Sequence, residues 1–157
     1  MRRAPPNILW PTDGHAEGDT KLNAFDNALI MAGIGHWNLV KVTSVAPRGA
    51  TLIYQPIEIE AGAVVPAVLT SAQSNQPGET ITACIGIGIG ASSHGMIMEH
   101  SGPGGPTEME AVVRRMLDES FMRRSLELEK VIVRSVSHTV QHVGSSVAAV
   151  ILWWGDR

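Results

Sequence analysis

Apolar and polar positions along this chain keep two different rhythms. Residues 80–89 read Thr-Ile-Thr-Ala-Cys-Ile-Gly-Ile-Gly-Ile, alternating strictly from Cys84 onward. A period of two predicts a strand with Ile81, Ile85, Ile87 and Ile89 on one face. Gly86 and Gly88 share the other face, where missing side chains let another segment approach closely. Shorter apolar or alternating runs predict strands at residues 37–45, 51–59, 63–71 and 94–100, and near 130–140 and 145–154. Helical spacing occurs twice. Asp19 or Thr20 can cap a helix running to about residue 32, where Gly33 and Gly35 stop it. Thr107 and Glu110 form a capping box for a second helix, with Val112, Val113, Met116, Leu117 and Phe121 on one stripe. Residues 1–18 are punctuated by Pro5, Pro6, Pro11, Gly14 and Gly18 and read as loop. The exception is a short strand at 7–10, which Pro11 confines to an edge or an end. Two helices against six or more strands predict an α+β fold, with helices outside a two-sheet sandwich, in one domain spanning residues 1–157.

Composition narrows the function classes. Hydrophobic content of 44% with 17% charged residues describes a compact folded protein. A net charge of −3 and no basic run longer than a pair argue against nucleic acid and anionic membrane as partners. No stretch approaches the roughly 18 apolar residues of a membrane span. Cys84 is the only cysteine, which excludes an internal disulfide and makes the cytoplasm the expected location. The Gly-X-Gly pattern at 86–88 lies inside a strand, without the strand-to-helix context of a phosphate loop. His138 and His142 lie at a strand end and turn with no nearby third ligand, so no metal is expected.

Four places invite chemistry. The alternating run at 37–45 stops at the hydroxyl pair Thr43-Ser44, which suits a backbone bond attacked by Ser44 itself. Continuous alternation puts Asn38, Val42 and Ser44 on one face, where the Asn38 amide can serve an oxyanion or bond a neighbouring loop. Asp26 falls roughly 40° from Leu22 around its helix, on or beside the apolar stripe with Leu29 and Ile30. It either reaches solvent or receives a cation such as a guanidinium. Glu99 shares a face with Gly95 and Ile97, as a strand-end ion pair or as a carboxyl that holds its proton. His36 and His100 flank these residues, Cys84 reads as a small core residue, and Trp153 and Trp154 read as packing.

Residues 22–45 contain Leu-Asn-Ala-Phe-Asp and then Trp-Asn-Leu-Val-Lys-Val-Thr-Ser-Val. Pro77-Gly78-Glu79-Thr80, Gly95-Met96-Ile97-Met98-Glu99, His138-Thr139-Val140 and Leu152-Trp153 follow in order. This series closely resembles the pyruvoyl-dependent arginine decarboxylases over roughly residues 17–154. The chain departs from the family mainly at Ile8-Leu9-Trp10-Pro11-Thr12-Asp13, and His36 and Trp37 are bulky choices near the presumed pocket.

The resemblance implies a four-layer α/β/β/α sandwich, self-cleaved into a β chain (1–43) and an α chain (44–157). Ser44 would attack the Thr43 carbonyl to form an ester. Elimination and hydrolysis with loss of ammonia then leave a pyruvoyl group derived from Ser44, with no metal or pyridoxal phosphate. Asn38 would assist this processing, Glu99 would protonate Cα after carbon dioxide leaves, and Asp26 would bind the guanidinium of arginine. The implied activity is conversion of L-arginine to agmatine, in a cytoplasmic homotrimer with pockets at subunit boundaries. The rivals are the same chemistry on another amino acid, and an unprocessed trimer that binds a small ligand.

Overall fold

The computed structural model describes residues 4–155. The chain runs β1 (Ile8–Glu17), α1 (Lys21–Met31), β2 (Asn38–Lys41), β3 (Val45–Ala46), β4 (Thr51–Leu52), β5 (Val64–Ser74), β6 (Thr80–Gly90), β7 (Gly95–Pro103), α2 (Pro106–Arg123), β8 (Leu128–Thr139) and β9 (Gly144–Trp153). The class is α+β. Its strands form a five-stranded sheet, β2-β5-β9-β1-β4, and a four-stranded sheet, β3-β7-β6-β8.

Alternation in β6 sorts its residues between two apolar clusters. Ile85 and Ile87 join Ile97, Val68, Val150 and Leu152, residues contributed by both sheets. Cys84, on the other face, joins Val113, Leu117 and Phe121 of α2. The glycines make that helix contact possible. A Cβ at Gly86 would lie 2.5 Å from Val113 Cγ1, and one at Gly88 would lie 2.7 Å from Phe121 Cε2. Gly86 and Gly88 therefore seat a helix and hold no phosphate. Gly86→Ala should lower stability by about 1–3 kcal/mol through overpacking, read as a reduced urea midpoint with unchanged slope.

Helix α1 starts as its sequence predicts, with the Thr20 side chain accepting the Asn23 N–H at 3.1 Å. The face it buries is different. Ala24, Ala28 and Ala32 face inward, while Leu22 is 74% and Ile30 49% exposed. Small residues let the helix lie close, since a Cβ at Gly14 would sit 2.2 Å from the Ala28 carbonyl oxygen. Asp26 is thus exposed, with Leu22 and Ile30 on the outer face and not on the buried stripe.

Other expectations also need correction. The N-terminal segment forms the ten-residue strand β1, not a loop. Pro11 is tolerated because the Leu9 carbonyl is the last acceptor on that side, bonding Ile53, and β4 has ended by Pro11. Residues 53–59 lie outside any strand. Helix α2 has Gly105 as its N-cap, Pro106 in its first turn and no side-chain cap, so there is no capping box. Glu110 instead accepts the Ser135 hydroxyl at 2.6 Å. The apolar run Val147 to Leu152 is buried within the protomer as the middle strand β9. Trp37 packs edge-on to Trp10 at 6.2 Å, a structural contact.

Candidate active site

Residues 37–45 do not form one strand, and the break falls at the Thr43-Ser44 bond. Strand β2 pairs in parallel with β5 in the five-stranded sheet, and that pairing ends when the Val42 N–H bonds the Ala67 carbonyl at 3.0 Å. The Ser44 carbonyl then accepts the Ile97 N–H of β7 at 2.6 Å, and β3 continues in the four-stranded sheet. Thr43 is the only residue between these anchors. The Thr43-Ser44 peptide therefore crosses from one sheet to the other, held on both sides by backbone bonds. Thr43 is exposed and Ser44 partly so. A cleft of about 300 Å³ opens beside Thr43, lined by Val42, Val45, Pro66 and Trp154.

The crossing breaks the alternation that put Asn38 on the face of Ser44. The Asn38 amide donates instead to the Gly62 carbonyl at 2.7 Å, tying β2 to the loop before β5. Its neighbour-loop role is the one the geometry gives.

Glu99 lies on the face predicted for it, in the row with Ile97, which packs between the sheets. Its carboxylate is only a third exposed, and Oε1 lies 3.8 Å from the Lys41 ammonium. Oε2 is buried, with no hydrogen-bond partner among the described residues. Burial pushes the Glu99 carboxyl above its ordinary value, and the Lys41 charge pulls part of that back. A raised carboxyl with one unsatisfied oxygen can hold a proton for delivery. Lys41 escaped the sequence reading. Its only signal was a cation inside an apolar run, and its partner lies far away in the chain.

The structure brings Ser44, Thr43, Lys41 and Glu99 into one neighbourhood through β2, β3 and β7, but not Asp26. Asp26 stands on the outer face of α1, which rests on β1, β5 and β9. His36 is exposed, and His100 pairs across from Cys84 on the face opposite Glu99. The Cys84 thiol is pushed up to about 11 by burial and by Glu110, so it is inert.

His15 and His138 belong to a separate cluster. His138 Nε2 lies 2.6 Å from Glu17 Oε2, and His138 Nδ1 lies 2.9 Å from His15 Nδ1. Glu17 Oε1 accepts the N–H groups of Gln141 and His142 at the β8–β9 turn. Burial alone would raise Glu17, but these bonds and His138 outweigh it and hold the carboxyl below its ordinary value. The arrangement fastens a hairpin to the end of β1. Among the described residues, no three His, Cys, Asp or Glu side chains are grouped to hold a metal. No described helix is long and apolar enough to cross a membrane. A cavity of about 320 Å³ between Leu9, Leu52, Ile87 and Arg48 contains none of the site residues.

A Thr-Ser peptide that passes between the two sheets of an α+β protein, near a half-buried carboxyl, is the site that the geometry offers. Residues 9–155 match the family model described as pyruvoyl-dependent arginine decarboxylase. The chain is 40% identical over 151 residues to the protein named pyruvoyl-dependent arginine decarboxylase of Methanocaldococcus jannaschii, covering 95% of this chain and 91% of that one. The protein of the same name from Thermococcus kodakarensis is 41% identical over 138 residues, covering 87% and 88%. That of Methanothermobacter thermautotrophicus is 38% identical over 141 residues, covering 89% and 92%. The chain belongs to the pyruvoyl-dependent arginine decarboxylase family.

Proposed function

We propose that this protein decarboxylates L-arginine to agmatine, using a pyruvoyl group that it makes by cutting itself between Thr43 and Ser44. The observation that carries this reading is the Thr43-Ser44 peptide, anchored to one sheet at Val42 and to the other at Ser44. Such anchoring limits recoil and keeps the serine hydroxyl beside the carbonyl it must attack, which favours an intramolecular reaction. The cut yields chains 1–43 and 44–157 of one domain, and Ser44 becomes the covalent cofactor. A pyruvoyl ketone supplies the electron sink that an amino acid needs to lose carbon dioxide. Around it, Glu99 serves as the acid that protonates Cα, supported by its burial and its unpartnered Oε2. Asn38 assists processing only if its amide exchanges the Gly62 carbonyl for that of Thr43.

The finer fold reading is a four-layer α/β/β/α sandwich, in keeping with the separate apolar clusters under each helix and between the sheets. The working unit is a homotrimer with pockets at subunit boundaries. Support comes from Asp26, which is exposed on its own protomer between Leu22 and Ile30, where a neighbouring copy can desolvate it. The lone Cys84 thiol suits the reducing cytoplasm.

Carbon dioxide release from a panel of amino acids by the cleaved protein tests the substrate. Arginine should lead, and an apolar or acidic amino acid that outruns it would refute the assignment. Asp26→Asn should cost arginine about 2–5 kcal/mol in kcat/KM, the penalty for stripping one partner from a desolvated ion pair. Neutral citrulline should be poor for the wild type and lose much less in the variant. Self-cleavage should proceed in both proteins.

A further inference from the structure

Lys41 is the last residue of β2, on the edge of the five-stranded sheet, and Glu99 belongs to β7 in the other sheet. Their contact at 3.8 Å spans the gap that the Thr43-Ser44 bond also crosses. The distance is too long for a hydrogen bond, so charge attraction holds it. The two oxygens of Glu99 are consequently unlike. Oε1 faces the ammonium, while Oε2 is buried and unpartnered.

We propose that Lys41 is a positioning residue for the decarboxylation, drawing Oε1 of Glu99 outward so that the buried Oε2 is presented to the reacting carbon, and controlling when that carboxyl carries its proton. The proposal rests on the function argued above. Cleavage leaves Lys41 on the 1–43 chain and Glu99 on the 44–157 chain. The pair therefore joins the two products, two residues from the new end at Thr43.

Among the described residues, no other charge on the neighbouring elements stands in for Lys41. Across β7 the partner of Glu99 on β6 is Ile85, and the row continues to Arg134 on β8. Arg134 is already taken by Asp13 of β1. Strands β3, β5 and β9 carry no titratable side chain. His100 lies on the opposite face of β7 with Cys84, towards α2 and its Glu110 and Arg114. Without Lys41, burial acts on Glu99 unopposed, and the carboxyl keeps its proton to higher pH.

Two measurements test this. In the cleaved enzyme, Lys41→Met should move the alkaline limb of kcat to higher pH, with KM for arginine little changed, whereas Lys41→Arg should keep the limb in place. In the Ser44→Ala background, which needs no cleavage, carboxyl NMR of labelled glutamate should find Glu99 titrating at higher pH once Lys41→Met is added. Glu99 titrating at the same pH with and without Lys41 would overturn the proposal, even if the cleaved variant were too poor to assay. A cleaved Glu99→Gln enzyme with normal turnover would refute instead the acid role of Glu99 on which the proposal rests.

Discussion

Ser44→Ala should remain a single chain of 157 residues with no decarboxylase activity, however long it is incubated. The wild type should resolve by intact mass into two chains divided between Thr43 and Ser44. Its larger chain should resist Edman degradation and react with carbonyl reagents, because a ketone has replaced the terminal amine. Alanine has no leaving group on Cβ, so neither the ester nor the elimination can form. Ser44→Cys supplies a thiol that can leave in the same way and should still cut. The fold should survive the alanine change, since the anchoring bonds at Val42 and Ser44 use backbone atoms alone. Far-UV dichroism and native mass should therefore match the wild type. A wild-type protein that stays uncut would leave only the reading of an unprocessed protein that binds a small ligand. A cut in Ser44→Ala at the same bond would mean that another nucleophile does the work.

Periodicity located most elements but could not decide which sheet each strand joins. The run at 37–45 reads as one strand because Val40 and Val42 alternate around Lys41 and the β-branched Val45 carries the β propensity past the hydroxyl pair. Its division depends on Ala67 and Ile97, partners far along the chain that no local window contains. The same limit hid the ion pairs of Lys41 with Glu99 and of Arg134 with Asp13. The two glycines of β6 were legible because their reason is local geometry, a face with no side chains under a helix. Asp26 was misplaced for an instructive reason. The large apolar residues of α1 suggested the buried stripe, yet alanines face the sheet and leave Leu22 and Ile30 outside. That same exposure is what the proposed homotrimer would cover at Asp26. The candidate residues Ser44, Glu99 and Asp26 came mainly from their motif context, since each has an ordinary structural use when considered alone.

Glu99→Gln should self-cleave at Thr43-Ser44 and then turn over arginine about 10²–10⁴-fold more slowly, the loss expected for a positioned general acid. The substitution preserves shape and removes the exchangeable carboxyl proton. Glu99 reaches the site from β7, while the peptide to be cut is held by Val42 and by the Ser44 carbonyl, so cleavage does not require the acid. Burial gives the sign of the pH dependence. A raised carboxyl keeps its proton to higher pH than an ordinary one, so activity that needs the acid form falls as pH climbs through the Glu99 titration. The residual activity of Glu99→Gln should lack that alkaline limb, because its amide does not titrate there. KM for arginine should change little, since the guanidinium is assigned to Asp26 and protonation follows loss of carbon dioxide. Single-turnover measurements can separate the steps. Carbon dioxide release should outpace agmatine release in the variant if protonation at Cα is what has slowed. A fully cleaved Glu99→Gln enzyme with near-normal turnover and the wild-type pH profile would remove Glu99 from the chemistry and leave its unpartnered Oε2 without a catalytic explanation.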